Sequence, residues 1–263
     1  MKKLFVCALA LTAALPLFAG KRIVMETKTL SNGKVETQEM LLDKDRLRAN
    51  SGNTSMIFRT VNGSSEMLIL SKDRNEYRVI DEKMVAQISE QLKGAMAQME
   101  AAMKNLPPQQ RAMMEKMMKG KMPPGMASAP EPTVYTAKGS GTVNGYSCTN
   151  YEGVEGGQTV EEVCAASAST LDLSASDFQV FEDMRKFAEG LVGALGSSPY
   201  MVGIKGFAAA GYQGFPVLRR SFDGGKAADE STLKSITDAS FTDADFSTGN
   251  AKRVEMTIPN LKR

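Results

Sequence analysis

The sequence predicts an α+β protein in which helices lie against one antiparallel sheet. Three observations carry that reading. Short alternating segments separated by Asn-Gly and Asp-rich turns fill residues 21–80. The apolar period then switches to steps of three and four from Met84 to Leu106. Later, two cysteines flank a glycine-containing hairpin loop. With 263 residues and a hydrophobic fraction of 42%, the chain is long enough for one large domain or two small ones and apolar enough for a real core.

The elements follow in order. Arg22 to Leu30 and Lys34 to Leu42 flank Ser31-Asn32-Gly33, and Thr54 to Val61 and Glu66 to Ser71 flank Asn62-Gly63. Asn-Gly accepts the positive φ that tight hairpins require. Glu76 to Ile80 closes the meander. Ile23, Met25 and Thr27, like Met56, Phe58 and Thr60, alternate as in a sheet with one buried face. Met84, Ile88, Leu92, Met96, Met99, Met103 and Leu106 then share one helix face, with Asp81 and Glu82 at the start suiting the helix dipole. Pro107-Pro108 ends that helix. A second short helix carries Met113, Met114, Met117 and Met118 before a Pro-, Ala- and Gly-rich linker that runs to residue 132. Strand character returns at Thr133 to Val143, and Asn144-Gly145 turns into the cysteine hairpin. Ser176-x-x-Gln179 reads as a capping box for a helix whose buried stripe is Phe178, Phe181, Ala188, Leu191, Val192 and Leu195. Ser197 to Gly214 has no readable course. Phe215 to Phe222 and Ser231 to Phe241 form a last hairpin, and Lys252 to Ile258 adds an edge strand.

Residues 1–19 read as an export signal: Lys2 and Lys3, an apolar run from Leu4 to Leu17, and a small-residue cleavage site ending at Ala19. The run is too short to span a bilayer with ease, and no later segment is a transmembrane candidate. No lipid-attachment cysteine follows it, since Cys7 lies within it. The expectation is a periplasmic protein without a lipid anchor, with residues 20–263 as a single domain and residues 84–132 as its Met-rich helical insert and linker.

Composition narrows the function classes. The chain has 32 basic and 30 acidic residues, and removing Lys2 and Lys3 leaves 30 of each, so nothing draws it to nucleic acid. Histidine is absent, which removes the commonest general base and the commonest metal ligand. Asp43 with Asp45 and Asp243 with Asp245 sit in turn-like stretches where Asp serves the backbone. Gly139-x-Gly141 and Gly203-x-x-Gly206 lack a phosphate-binding context, and there is no Gly-x-Ser-x-Gly elbow. No catalytic residue is selected and no cofactor is expected.

Cys148 and Cys164 each lie eight residues from Gly156, so a symmetric hairpin would set them opposite each other as a structural disulfide. The rival redox-active pair would prefer Cys-x-x-Cys spacing at a helix start. Ten of the 18 methionines lie between Met84 and Met126. They read as core filler, as an adaptable apolar wall for a ligand, or as a Cu(I) site at Met113, Met114, Met117 and Met118.

The pattern Gly145-x-x-Cys148-x-x-Tyr151, followed by Val160-Glu161-Glu162-Val163 and a helix, resembles a bacterial exported family of unknown function. Its members begin with such a meander and often carry a Met-rich middle. They end with a strand like Phe215 to Phe222 and a Phe-x-x-Pro-x-x-Tyr-type tail, from which Phe246 to Arg253 departs. That family is similar to the lipoprotein-carrier superfamily, an open antiparallel β half-barrel whose concave face is closed by helices. The resemblance implies a half-barrel covered by the Met-rich and Phe/Leu-rich helices, with a hydrophobic cavity beneath. On this reading the protein is a non-enzymatic binder of a lipid, acyl chain or other hydrophobic ligand. Its wall is Met84, Ile88, Leu92, Met96, Met99, Met103, Phe178 and Phe181. The alternative is an envelope interaction module whose partner is a protein, and Cu(I) buffering is third.

Overall fold

A computed structural model describes residues 19–104, 133–195 and 211–255. The expected export signal, the expected second Met helix with its linker, and the greater part of Ser197 to Gly214 lie outside the described residues. Six strands come first: β1 (Ala19–Thr29), β2 (Val35–Asp43), β3 (Arg46–Ser51), β4 (Thr54–Val61), β5 (Ser64–Ser71) and β6 (Glu76–Asp81). Helix α1 (Glu82–Lys104) follows, then β7 (Val134–Val143), β8 (Tyr146–Glu155), β9 (Gln158–Ala166) and helix α2 (Ala175–Leu195). The chain continues with β10 (Phe215–Asp223), β11 (Lys226–Ser240) and β12 (Lys252–Arg253).

These strands form one open sheet in the order β12-β6-β5-β4-β3-β2-β1-β11-β10-β9-β8-β7. The Asn-Gly turns set its registers: φ is 53° and 82° at Asn62 and Gly63, and 51° and 86° at Asn144 and Gly145. All pairings are antiparallel except that of β12, which runs parallel to β6. The expected C-terminal edge strand is therefore present but shorter, and its direction is set by a chain that has already crossed the sheet. An open antiparallel sheet accompanied by a few helices is the fold that the carrier resemblance implies.

The sheet is buried on both faces along β2–β5. On one face Ile23, Leu42, Leu47, Phe58 and Met67 pack beneath Val180, Met184, Phe187 and Ala188 of α2. Their strand neighbours Leu41, Ile57 and Leu68 point the other way, as alternation demands, and pack on Phe246. Phe246 belongs to a C-terminal strap over residues 241–255. Arg48 Nη1 donates to the Asp245 carbonyl at 2.9 Å, and a capping box joins Thr242 and Asp245. Arg46 spans Asp43 and Asp243, with its guanidinium 4.5 Å above the Phe246 ring.

Two local expectations are corrected. Helix α2 is capped by Ser174 and Asp177, not by Ser176 and Gln179. Asp177 N–H donates to Ser174 Oγ at 3.1 Å, and the Asp177 carboxylate accepts from Ser174 N–H at 2.8 Å. The anchor that selects this cap is Leu173, buried in the core just before it. Among the described side chains of α2, Val180, Met184, Phe187 and Ala188 are buried and Phe181 packs at the core's margin, while those of Phe178, Leu191, Val192 and Leu195 lie outside the described residues.

The second correction concerns the cysteine hairpin. Its disulfide forms, with a Cα–Cα distance of 5.4 Å, but Cys164 stands opposite Asn150, not Cys148. A bulge pairs Gly153 with Glu161 and Val154 with Thr159, leaving Val160 as an extra residue. The bridge therefore runs diagonally. Gly141 faces Cys148 from β7, and a Cβ there would come within 3.0 Å of Cys164 Sγ.

Candidate functional site

The helices are positioned by their caps and by the core. Asp81 closes β6 and caps α1, its carboxylate accepting from Met84 N–H at 2.7 Å. Val85 then packs on the margin of the core, while α2 is seated by Phe187 against Phe58, with ring centroids 5.8 Å apart. Between the two helices, above the start of β5, lies a cleft of about 420 Å³. This falls within the range of about 300–1,000 Å³ typical of small-ligand sites. Buried Phe187 and half-buried Val85 make its apolar floor, exposed Ala86 and Gly190 lie beside them, and Ser65, Glu82, Asp183 and Lys186 are the polar residues of its lining. Glu82 accepts from Ser65 N–H at 3.0 Å, and Lys186 Nζ lies 3.9 Å from Asp183. Such a site can hold an apolar group and orient a charged one.

The expected wall is placed as follows. Met84 is half-buried near the cleft without lining it. Phe181 stacks on Phe215, with centroids 5.4 Å apart. The backbones of Ile88, Leu92, Met96, Met99 and Met103 lie on α1 and that of Phe178 on α2, but their side chains are outside the described residues. Met113, Met114, Met117 and Met118 lie outside them altogether. Among the described residues, no group of three or more His, Cys, Asp or Glu side chains could hold a metal ion, and no helix is long and apolar enough to cross a membrane.

A second cluster, unforeseen in the sequence, sits on the face of β8–β9 opposite the disulfide. Glu161, 4% exposed, accepts from the Tyr135 hydroxyl and from Arg219 Nε. Tyr212 covers it, 5.1 Å from the Tyr135 ring and 5.7 Å from the Tyr151 ring. Burial, and then the Glu161 charge, push the Tyr135 and Tyr212 hydroxyls above the usual phenol range. Glycines at 153 and 211 make room: a Cβ would come within 2.8 Å of Tyr135 at the first and 2.1 Å at the second. Within the cluster the Glu161 carboxylate is satisfied by Tyr135 and Arg219, so it ties β7, β9 and β10 together.

Val85 and Phe187 are the floor residues that the sequence reading passed over. Phe187 stands seven residues beyond Val180 and three beyond Met184, a helical spacing that singles it out once Val180 is included. For the tyrosines no local signal was available: symmetry about Asn144-Gly145 would set Tyr135 opposite Val154, and only the register shift between Ala137 and Gly139 pairs it with Gly153, two residues from Tyr151.

Residues 51–249, about three-quarters of the chain, match the family described as Domain of unknown function (DUF4412). No curated relative matches the chain. Similar solved structures include an uncharacterized conserved protein from Thermus thermophilus, at 8% identity and a TM-score of 0.44, covering 91% of this chain and 92% of that one. The MucA/MucB complex of Pseudomonas aeruginosa matches at 9% identity and a TM-score of 0.33, over 89% of this chain and 56% of that one. A domain described as a putative outer membrane lipoprotein-sorting protein from Vibrio parahaemolyticus matches at 10% identity and a TM-score of 0.29, over 90% and 92%.

Proposed function

Because the chain belongs to the DUF4412 family, whose description assigns no activity, we propose a function from the geometry of the molecule itself. The protein is a non-enzymatic periplasmic binder of a lipid, acyl chain or similar apolar ligand, held between α1 and α2 over the sheet. The observation that carries this reading is the cleft of about 420 Å³ with Val85 and Phe187 on its floor and Glu82, Asp183 and Lys186 in its lining. Beneath α2 the space is taken, since Phe58, Met67, Met184 and Phe187 fill it. The ligand therefore lies between the helices, and the wall expected from the sequence (Met84, Ile88, Leu92, Met96, Met99 and Met103, with Phe178 and Phe181) is retained as part of this proposal. Flexible thioethers suit ligands of varied shape. Each buried CH₂ contributes roughly 0.8 kcal/mol, so a chain of ordinary length binds usefully without a strong polar anchor.

Native mass spectrometry of protein purified from the periplasm is the test. A co-purified amphiphile and uptake of a fluorescent fatty acid are the expected results. A clean apo mass together with no uptake overturns the reading. The second reading, a protein-interaction module, draws on the filled core beneath α2, which seats that helix as a fixed surface. It expects one specific envelope protein in crosslinked pull-downs and no amphiphile in the mass spectrum.

A further inference from the structure

We infer that the cleft selects an amphiphile with a zwitterionic head, one bearing an ammonium and an anionic group, over one with a simple carboxylate head. The inference rests on the apolar-ligand reading above and adds the chemistry of the head. The lining carries two carboxylates, Glu82 and Asp183, against one ammonium, Lys186. Glu82 is tied down by the Ser65 N–H, which fixes the carboxylate at the mouth, and it has no ion-pair partner among the described residues. Lys186 is 63% exposed and stands at 3.9 Å from Asp183, a long pair in high dielectric that a ligand charge readily replaces.

A fatty-acid carboxylate entering here gains Lys186 but faces two like charges. A head bearing both signs meets each partner with its opposite: its ammonium pairs with Glu82 and its phosphate with Lys186. Ser65 adds a hydroxyl at the same edge. Because the apolar floor is common to both ligands, the head decides between them.

The test compares two ligands with the same saturated acyl chain, a lysophosphatidylethanolamine and the free fatty acid, by isothermal titration below their micelle concentrations. The zwitterion is expected to bind about tenfold more tightly, the size of one charge-assisted contact. Glu82→Gln keeps an oxygen for the Ser65 N–H. It is expected to remove that preference while leaving fatty-acid affinity equal or improved. Lys186→Gln is expected to weaken both ligands. Equal affinity for the two in the unaltered protein, or an unchanged preference in Glu82→Gln, overturns the inference and leaves the apolar-ligand reading standing. Failure of both ligands to bind overturns that reading and the inference with it.

Discussion

The two arms of the sheet are held together by different means. Strands β2–β5 lie between two apolar layers, α2 on one face and the Phe246 strap on the other, and their inward residues are almost wholly excluded from water. Strands β7–β9 have a thinner cover. There β7 is mostly exposed, and the hairpin is stapled by Cys148–Cys164 on one face and by Tyr135, Glu161, Arg219 and Tyr212 on the other. Where area for burial is short, a covalent link and a satisfied buried charge replace it.

The comparison can be broken from either side. Phe58→Ala should cost about 3–5 kcal/mol in urea unfolding, because Phe58 is fully buried and its ring touches Phe187. A cost below about 1 kcal/mol would refute the two-layer account. Replacing Cys148 and Cys164 together by Ala should cost roughly 3 kcal/mol by the loop-entropy argument, and hydrogen exchange should rise first in β8 and β9. Uniform loosening of the whole sheet would show instead that the arms are not distinct.

Tyr135→Phe should cost about 1–2 kcal/mol near neutral pH, through the lost hydrogen bond to buried Glu161. It also has a pH signature. The folded state raises the Tyr135 pKa above 10.0. The stability this confers is complete below the unfolded value of about 10 and is lost as pH climbs from there toward the folded value. Melting temperatures above about pH 10 should therefore fall more steeply in the unaltered protein than in Tyr135→Phe. Gly141→Ala should have the smallest effect, about 1 kcal/mol or less, because the added methyl meets the pliable Asn150 side chain at 2.9 Å and Cys164 Sγ at 3.0 Å. A loss as large as that of the cysteine pair would mean that Gly141 holds the bridge and does not merely clear space for it.

How much was legible in the sequence follows the same division. The meander and the later β7–β8 hairpin were readable because Asn62-Gly63 and Asn144-Gly145 respectively fix φ locally. The disulfide was readable from the hairpin, yet its register was not, since the extra residue Val160 has no local signal. Glu161 was visible only as one letter of Val160-Glu161-Glu162-Val163. Its burial depends on Tyr135, Tyr212 and Arg219, which come from three separate stretches of chain. A hydrophobic cavity beneath the helices was expected, whereas the space beneath α2 is filled and the cleft lies between α1 and α2. Met84 marked the right turn of α1, but the floor is Val85, one position round the helix, together with Phe187. Side-chain direction at that scale is decided by how α1 and α2 cross, which periodicity alone does not specify.

The pairing of β1 with β11 bears on the order of assembly. Thr27 meets Ser231, 204 residues further along the chain, through a 2.8 Å hydroxyl contact inside an eleven-residue ladder. The early hairpins can nucleate as soon as they are made, whereas this seam waits for almost the entire polypeptide. Folding is therefore expected to be slow at its last step. Until then β1 offers a bare edge, and a chaperone that shields it would raise the yield of native protein.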